Sequence, residues 1–297
     1  MQTEKGKMPV TLRLLAYLGT GAALMFLVAL PSGPAQAEQK TTPSAEDLRA
    51  GKGFIATRVY STEEDEQTLK LFDGLRVADV ADGMDKVGLT NTGLMSPDIH
   101  AAWKDTEHYT HRFVGIAVTA RYVPTNKAPA PAMETEAFDK WVGDWYSRLS
   151  SEPFTAIIRK GTALVLDDAP DSDVGSIGSN NIMGWKLAGC VGVVTNATAR
   201  DTDEIATEKM PLYFRKPRRG IRPGRNQIES VNRPIVCGGV LVEPGDVIVA
   251  DGDGVIAVPR AKAKEVADYA QAIMKGDKAG RRNLYQKLGL KPDDSVK

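Results

Sequence analysis

An apolar strand, a helix and a second apolar strand follow one another between residues 161 and 196, and this order constrains the fold more than any other feature of the chain. "GTALVLDDA" (161–169) has the unbroken apolar content of a buried strand and ends on Asp167 and Asp168. "DVGSIGSNNIMGWKLAG" (173–189) reads as a turn and then a helix, with Gly178 and Ser179 as N-cap neighbours. "CVGVVTN" (190–196) is the second strand. Strands joined through a helix pair in parallel, with a right-handed crossover. An α/β fold follows, and the segments leaving both strands emerge on one edge of the sheet, where such folds build sites.

The remaining pattern extends this core. From residue 64 the chain is helical, with Val77, Val80, Met84 and Val87 on one face and Gly88 as the stop. "GLMSPDIHAAW" (93–103) is loop, "RFVGIAVTARYV" (112–123) a strand and "PTNKAPAPAM" (124–133) a linker. A helix over 134–150 carries Phe138, Trp141, Trp145 and Leu149, aromatic and apolar residues suited to core or subunit interface. After 210 the short strands "PLYF", "RPIVCGG", "DVIVADG" and "GVIAVP" read as an all-β meander. A closing helix covers 261–275, with Ala263, Val266, Ala270 and Ile273 on one face. The tail, 276–297, is amphipathic and then polar.

The N-terminus belongs to a different class of signal. Lys5, Lys7 and Arg13 precede the apolar run 14–30, Pro31 and Pro34 follow, and "AQA" occupies 35–37. A basic start, an apolar centre and a small-x-small site make a secretory signal peptide cut after Ala37. Residues 38–63 are then a tether. The alternative, an uncleaved anchor, also leaves the globular part outside the cytoplasm, so the expected location is periplasmic or extracellular. Cleavage takes one acidic and three basic residues from a neutral chain, leaving a net charge of −2. This balance gives no pull toward nucleic acid or acidic membrane.

Several motifs carry less than they promise. "DGDG" (251–254) has Lys262 where a calcium loop needs its glutamate, and reads as a hairpin turn. "RKPRRGIRPGR" (215–225) is basic but has no interleaved aromatics, as a solvated or subunit-contact loop would. Cys190 and Cys237 sit in apolar strands, as buried small side chains do. His100, His108 and His111 read as solvated loop residues.

Arg200-Asp201, with Asp203 and Glu204 behind them, stands just past the second strand. On the shared sheet edge this pair can face "GSNN" (178–181), whose backbone N–H groups open a helix and suit an anion. An arginine fork suits a carboxylate and an aspartate a hard divalent ion, which together suit a 2-oxo acid. A plain surface Arg–Asp pair capping the next turn fits the same spacing.

"FDGLRVADVADGMDKVGL", "GLMSPDI", "FVGIAVTARYV", "GCVGVVTNATARDTDEI" and "VEPGDVIVADGDGVIAVP" together resemble the RraA-like family of 4-hydroxy-4-methyl-2-oxoglutarate aldolases and RNase E regulators, over roughly 64–275. The resemblance implies a swivelling β/β/α fold and ring-shaped homotrimers. It implies a metal-dependent lyase on a small 2-oxo acid, by retro-aldol cleavage or oxaloacetate decarboxylation, giving pyruvate. Arg200 lies twenty-two residues after Gly178, the family's aldolase spacing, with Asp201 and Glu204 following. By this resemblance Arg200 is expected to bind the pyruvyl unit, Asp201 to hold Mg²⁺ or Mn²⁺, and Gly178, Ser179, Asn180 and Asn181 to line the substrate. Glu204 orients a water, and Asp277 of a neighbouring subunit is the expected proton donor. Ser179, Asn180 and Asn181 stand where the family usually carries an acidic residue and two leucines. The alternative reading is a non-catalytic, extracytoplasmic ring protein that binds a partner.

Overall fold

The computed structural model describes residues 43–168 and 173–297. The signal-peptide reading of residues 1–37 lies outside the described residues. Contacts separate an N-terminal unit, Met1–Lys52, from a second, Gly53–Lys297. In the first, helix α1 (Ala45–Arg49) opens on a capping box between Ser44 and Asp47.

The second unit is built on one mixed sheet. Helices α2 (Thr62–Leu71) and α3 (Val77–Lys86) lead to strands β1 (His100–Ala101) and β2 (Phe113–Pro124), then helix α4 (Thr135–Arg148). Strand β3 (Thr162–Asp167), helix α5 (Ser179–Ala188) and strand β4 (Cys190–Thr195) form the expected crossover. Strand β5 (Thr198–Ala199), helix α6 (Thr202–Thr207) and strands β6 (Leu212–Phe214) and β7 (Lys216–Pro217) follow. The chain continues through β8 (Asn226–Val231), β9 (Ile235–Cys237), β10 (Val240–Val242), β11 (Val247–Asp251), β12 (Gly254–Val258) and helix α7 (Ala263–Leu288).

The sheet runs β1-β6-β4-β3-β2-β11-β12, with β8 also paired to β2. Strand β2 is long enough to serve two partners on one edge. Its first half pairs antiparallel with β11 and its second half with β8. Strands β2, β3, β4 and β6 are mutually parallel.

Side-chain alternation sorts the core into two faces. Ile116, Ala120, Leu164, Leu166, Val247 and Val249 point to one face, which α2, α3, α5, α6 and α7 cover. Ala117, Ala163, Val165, Ile248 and Ala250 point to the other, under the β9–β10 hairpin. On the helical face α3 meets α7 closely: a Cβ on Gly83 would stand 2.7 Å from the Val266 carbonyl oxygen.

Three expectations change. The segment after 210 is not a meander, because α6 carries the chain to a parallel partnership of β6 with β4 and only β9–β10 and β11–β12 are hairpins of neighbouring strands. The closing helix runs on to Leu288, through much of what reads as tail. His111 is buried rather than solvated, accepting the Asp105 N–H on Nδ1 at 3.1 Å. Burial, with Arg112 adding to it, holds its imidazole below the usual histidine range.

The hairpin reading of 251–254 holds, with Asp251 opposite Gly254. Cys190 and Cys237 are both buried and free. Among the described residues no helix is long and apolar enough to cross a membrane.

Candidate active site

Strands β3 and β4 are paired from Thr162↔Cys190 to Leu166↔Thr195, so Asp167-Asp168 and Asn196 leave the sheet side by side. Asn196 ties them together. Its Nδ2 donates to Asp167 Oδ1 at 2.7 Å, and its Oδ1 accepts the Asp168 N–H at 3.1 Å. Burial pushes the Asp167 carboxyl up from its ordinary value, against the opposing effects of Asn196 and Arg121.

Past β4 the chain lies down beside the segment that enters α5. Ile177 bridges to Ala199 in parallel, and the Arg200 N–H donates to the Ile177 carbonyl at 2.8 Å. The Thr198 hydroxyl donates to the Val174 carbonyl. These bonds set Arg200 and Asp201 against the N-terminus of α5, as the shared sheet edge predicts.

Two glycines make the approach possible. A Cβ on Gly175 would stand 2.7 Å from Arg200 Cβ. A Cβ on Gly178 would stand 2.7 Å from Asp201 Oδ2, 3.5 Å from Asn181 Oδ1 and 3.6 Å from Arg200 Nε. Three polar side chains therefore surround one point beside Gly178.

Asp201 occupies the N-cap position of α6, but its backbone is left-handed (φ 55°, ψ 38°) and its side chain does not cap that helix. It reaches α5 instead, where Oδ2 accepts the Ser179 N–H at 3.2 Å. A carboxylate here complements the positive end of the α5 dipole. Asp201 Oδ1 lies 3.9 Å from Arg200 Nε, beyond hydrogen-bonding range, and the two side chains are 38% and 36% exposed.

The other expected residues fall at different places. Ser179 is half-buried, Asn180 exposed, and Glu204 exposed in the first turn of α6. Asp277, expected to act from a neighbouring subunit, pairs within its own chain with Arg76 at 2.7 Å.

A buried polar cluster behind α5 escapes sequence reasoning. Glu152 Oε1 accepts Asn181 Nδ2 at 2.7 Å and Arg222, and its Oε2 accepts Trp185 Nε1 at 3.0 Å. Arg222 comes from the basic loop, which is therefore not simply solvated. Its guanidinium is 4% exposed and also donates to the Tyr122 hydroxyl at 2.8 Å. Nearby, Asn226 Nδ2 donates to Asp168 and Ser176, and the Ser150 hydroxyl to Asn226 Oδ1. No motif marks Glu152, Arg222 or Asn226 for this role, since the cluster draws on five separate segments.

Among the described residues no three His, Cys, Asp or Glu side chains cluster as a ligand cage. The donor set at Asp201 is one hard carboxylate open to solvent, which fits a magnesium-type ion that keeps most of its water.

Residues 77–257 match the family model described as RraA-like, Aldolase/RraA. A Halalkalibacterium halodurans protein named "Putative 4-hydroxy-4-methyl-2-oxoglutarate aldolase" is 30% identical over 125 residues, 42% of this chain. The match spans only 59% of that protein's length. A solved structure from Pseudomonas syringae pv. tomato, of an uncharacterized protein, is similar with a TM-score of 0.55 and 22% identity, covering 80% of this chain and 97% of the other. Streptomyces coelicolor RraAS2, described as an unusual member of the RNase ES inhibitor RraA family, is similar with a TM-score of 0.55 and 20% identity, over 73% and 96% of the two chains. At these identities the two structures speak for the fold alone.

Proposed function

We propose that this chain, which belongs to the RraA-like family, is a divalent-metal-dependent lyase that releases pyruvate from a small 2-oxo acid. The observation that carries the reading is the convergence of Arg200, Asp201 and Asn181 on one point beside Gly178, at the N-terminus of α5.

Arg200 presents a forked donor to the carboxylate and 2-oxo oxygens of the substrate. The first-turn N–H groups of Asn180 and Asn181 have no acceptor within α5 and favour the same anion. Asp201 would hold Mg²⁺ or Mn²⁺, which when bound supplies positive charge opposite the polarised 2-oxo group. Breaking the C3–C4 bond leaves its electron pair on the pyruvyl half, delocalised onto the 2-oxo oxygen as an enolate. The Arg200 donors meet that charge where it develops. The other half departs as a ketone in retro-aldol cleavage, or as CO₂ from oxaloacetate. Glu204, in the first turn of α6, is the carboxylate that would orient a water to take the C4 hydroxyl proton in retro-aldol cleavage, and Asp277 of a neighbouring subunit in a homotrimer would return a proton to C3 of the enolate. The basic and apolar N-terminal pattern supports an exported location.

Arg200→Ala and Asp201→Ala each abolish pyruvate release while the fold persists in circular dichroism. Retained turnover in either variant sinks the assignment.

A non-catalytic binding protein is the second reading. Ser179, standing where a carboxylate is expected, favours it. Metal binding without turnover of any 2-oxo acid distinguishes it from the lyase.

A further inference from the structure

We propose that the cavity between the β11–β12 turn, helix α7 and the C-terminal tail is an anion site that takes a phosphate group, free or as a monoester. The cavity shares no residue with the Arg200–Asp201 site, and its ligand does not rest on the lyase reading.

The cavity holds about 460 Å³, room for a phosphate and a small group attached to it. Three cations line it: Arg112, just before β2, and Lys278 and Arg281, three apart on one face of α7. All three are half-buried, and none forms an ion pair with a carboxylate of the described residues. Lys278 makes no hydrogen bond among those residues, and Arg281 donates only to Ser295, at its carbonyl (3.4 Å) and its hydroxyl (2.7 Å). The Arg112 guanidinium lies over the Tyr109 ring, 3.9 Å from its centre. Its Nε is buried and has no acceptor. A charged donor in that position is costly, and an anion beside the guanidinium relieves the cost.

The carboxylates around the cavity are engaged elsewhere. Asp251 accepts the Val77 and Asp253 N–H groups, each at 2.9 Å. Asp294 pairs with Lys297 at 2.7 Å. Arg76, a fourth cation at the cavity, is taken by Asp79 and Asp277, both at 2.7 Å. Of the lining carboxylates only Asp253, exposed in the turn, has a side chain with no partner among the described residues. Three unpaired cations against one free carboxylate favour an anion as ligand. Two guanidinium groups and an ammonium meet the three oxygens of a phosphate group better than the two of a carboxylate.

The test is calorimetric titration of the full chain with inorganic phosphate and with glycerol 3-phosphate, at fixed ionic strength and without divalent metal. The wild type binds at least one of them, and the tighter of the two tells the free ion from the ester. Arg112→Met and Lys278→Met, uncharged and apolar, each weaken that binding at least about tenfold, the worth of one charge-assisted hydrogen bond. Arg200→Ala binds as the wild type does. Lys278→Met keeps the test decisive should Arg112→Met fail to fold, because Lys278 has no partner in the fold. No binding of either probe by the wild type, an unchanged affinity in either folded methionine variant, or loss of binding in Arg200→Ala overturns the inference. Each of these outcomes leaves the lyase reading standing.

Discussion

Asp201 opens helix α6, yet its Oδ2 accepts the backbone N–H of Ser179 at the start of helix α5, at 3.2 Å. A left-handed backbone at Asp201 turns the carboxylate away from its own helix, and the absence of a side chain on Gly178 lets it in. Two loops that leave parallel strands are joined by this contact into a single polar site.

Gly178→Ala tests the contact directly. The added methyl would stand 2.7 Å from Asp201 Oδ2, too close to be accommodated without moving the carboxylate. The backbone of Gly178 (φ −127°, ψ 168°) is extended and suits alanine. Stability therefore changes by less than about 1 kcal/mol. Metal affinity and pyruvate release fall at least about tenfold, read by calorimetry and a coupled assay.

Arg222→Met tests the cluster behind α5. Removing one partner of a buried ion pair leaves Glu152 without its charge complement, at a cost of about 3–5 kcal/mol. Urea denaturation measures the loss. A change under about 1 kcal/mol contradicts the account of Arg222 as a buried anchor.

Asp246 gives a pH dependence of known sign. Burial pushes its carboxyl up to about 6, although it accepts the Glu243 and Arg260 N–H groups at 2.9 and 3.0 Å. A folded-state value above the unfolded one means that the native state binds this proton more tightly. The contribution is fully present below the ordinary value of 3.8 and is lost as pH rises through about 6. The stability difference between wild type and Asp246→Ala therefore narrows from pH 4 to pH 7 in urea titrations.

Cys190 and Cys237 are predicted inert. Burial pushes the Cys190 thiol up to about 11 and raises Cys237 as well. Neither reacts with iodoacetamide at pH 8 until the chain is unfolded, as mass spectrometry of the native protein will show.

The strand–helix–strand core and the meeting of Gly178 with Arg200 and Asp201 were legible because they depend on chain order alone. An apolar run, a helix N-terminus and a second apolar run leave few ways to pair. The parallel place of β6 was hidden, because the connecting helix Thr202–Thr207 has only six residues, too few for a periodic signal. His111 read as solvated since burial depends on Trp103 and Asp105 folding over it. Arg222 was concealed among five other basic residues of residues 215–225, and nothing in the sequence separates it from them. The acceptor at Glu152 that distinguishes it lies seventy residues earlier.

The most direct test of the central claim is pyruvate release from oxaloacetate and from 4-hydroxy-4-methyl-2-oxoglutarate, with Mg²⁺ or Mn²⁺ and then with excess chelator. The account predicts pyruvate from at least one of them, lost on chelation and restored by the metal. A folded protein that releases none from either, with metal present, contradicts it.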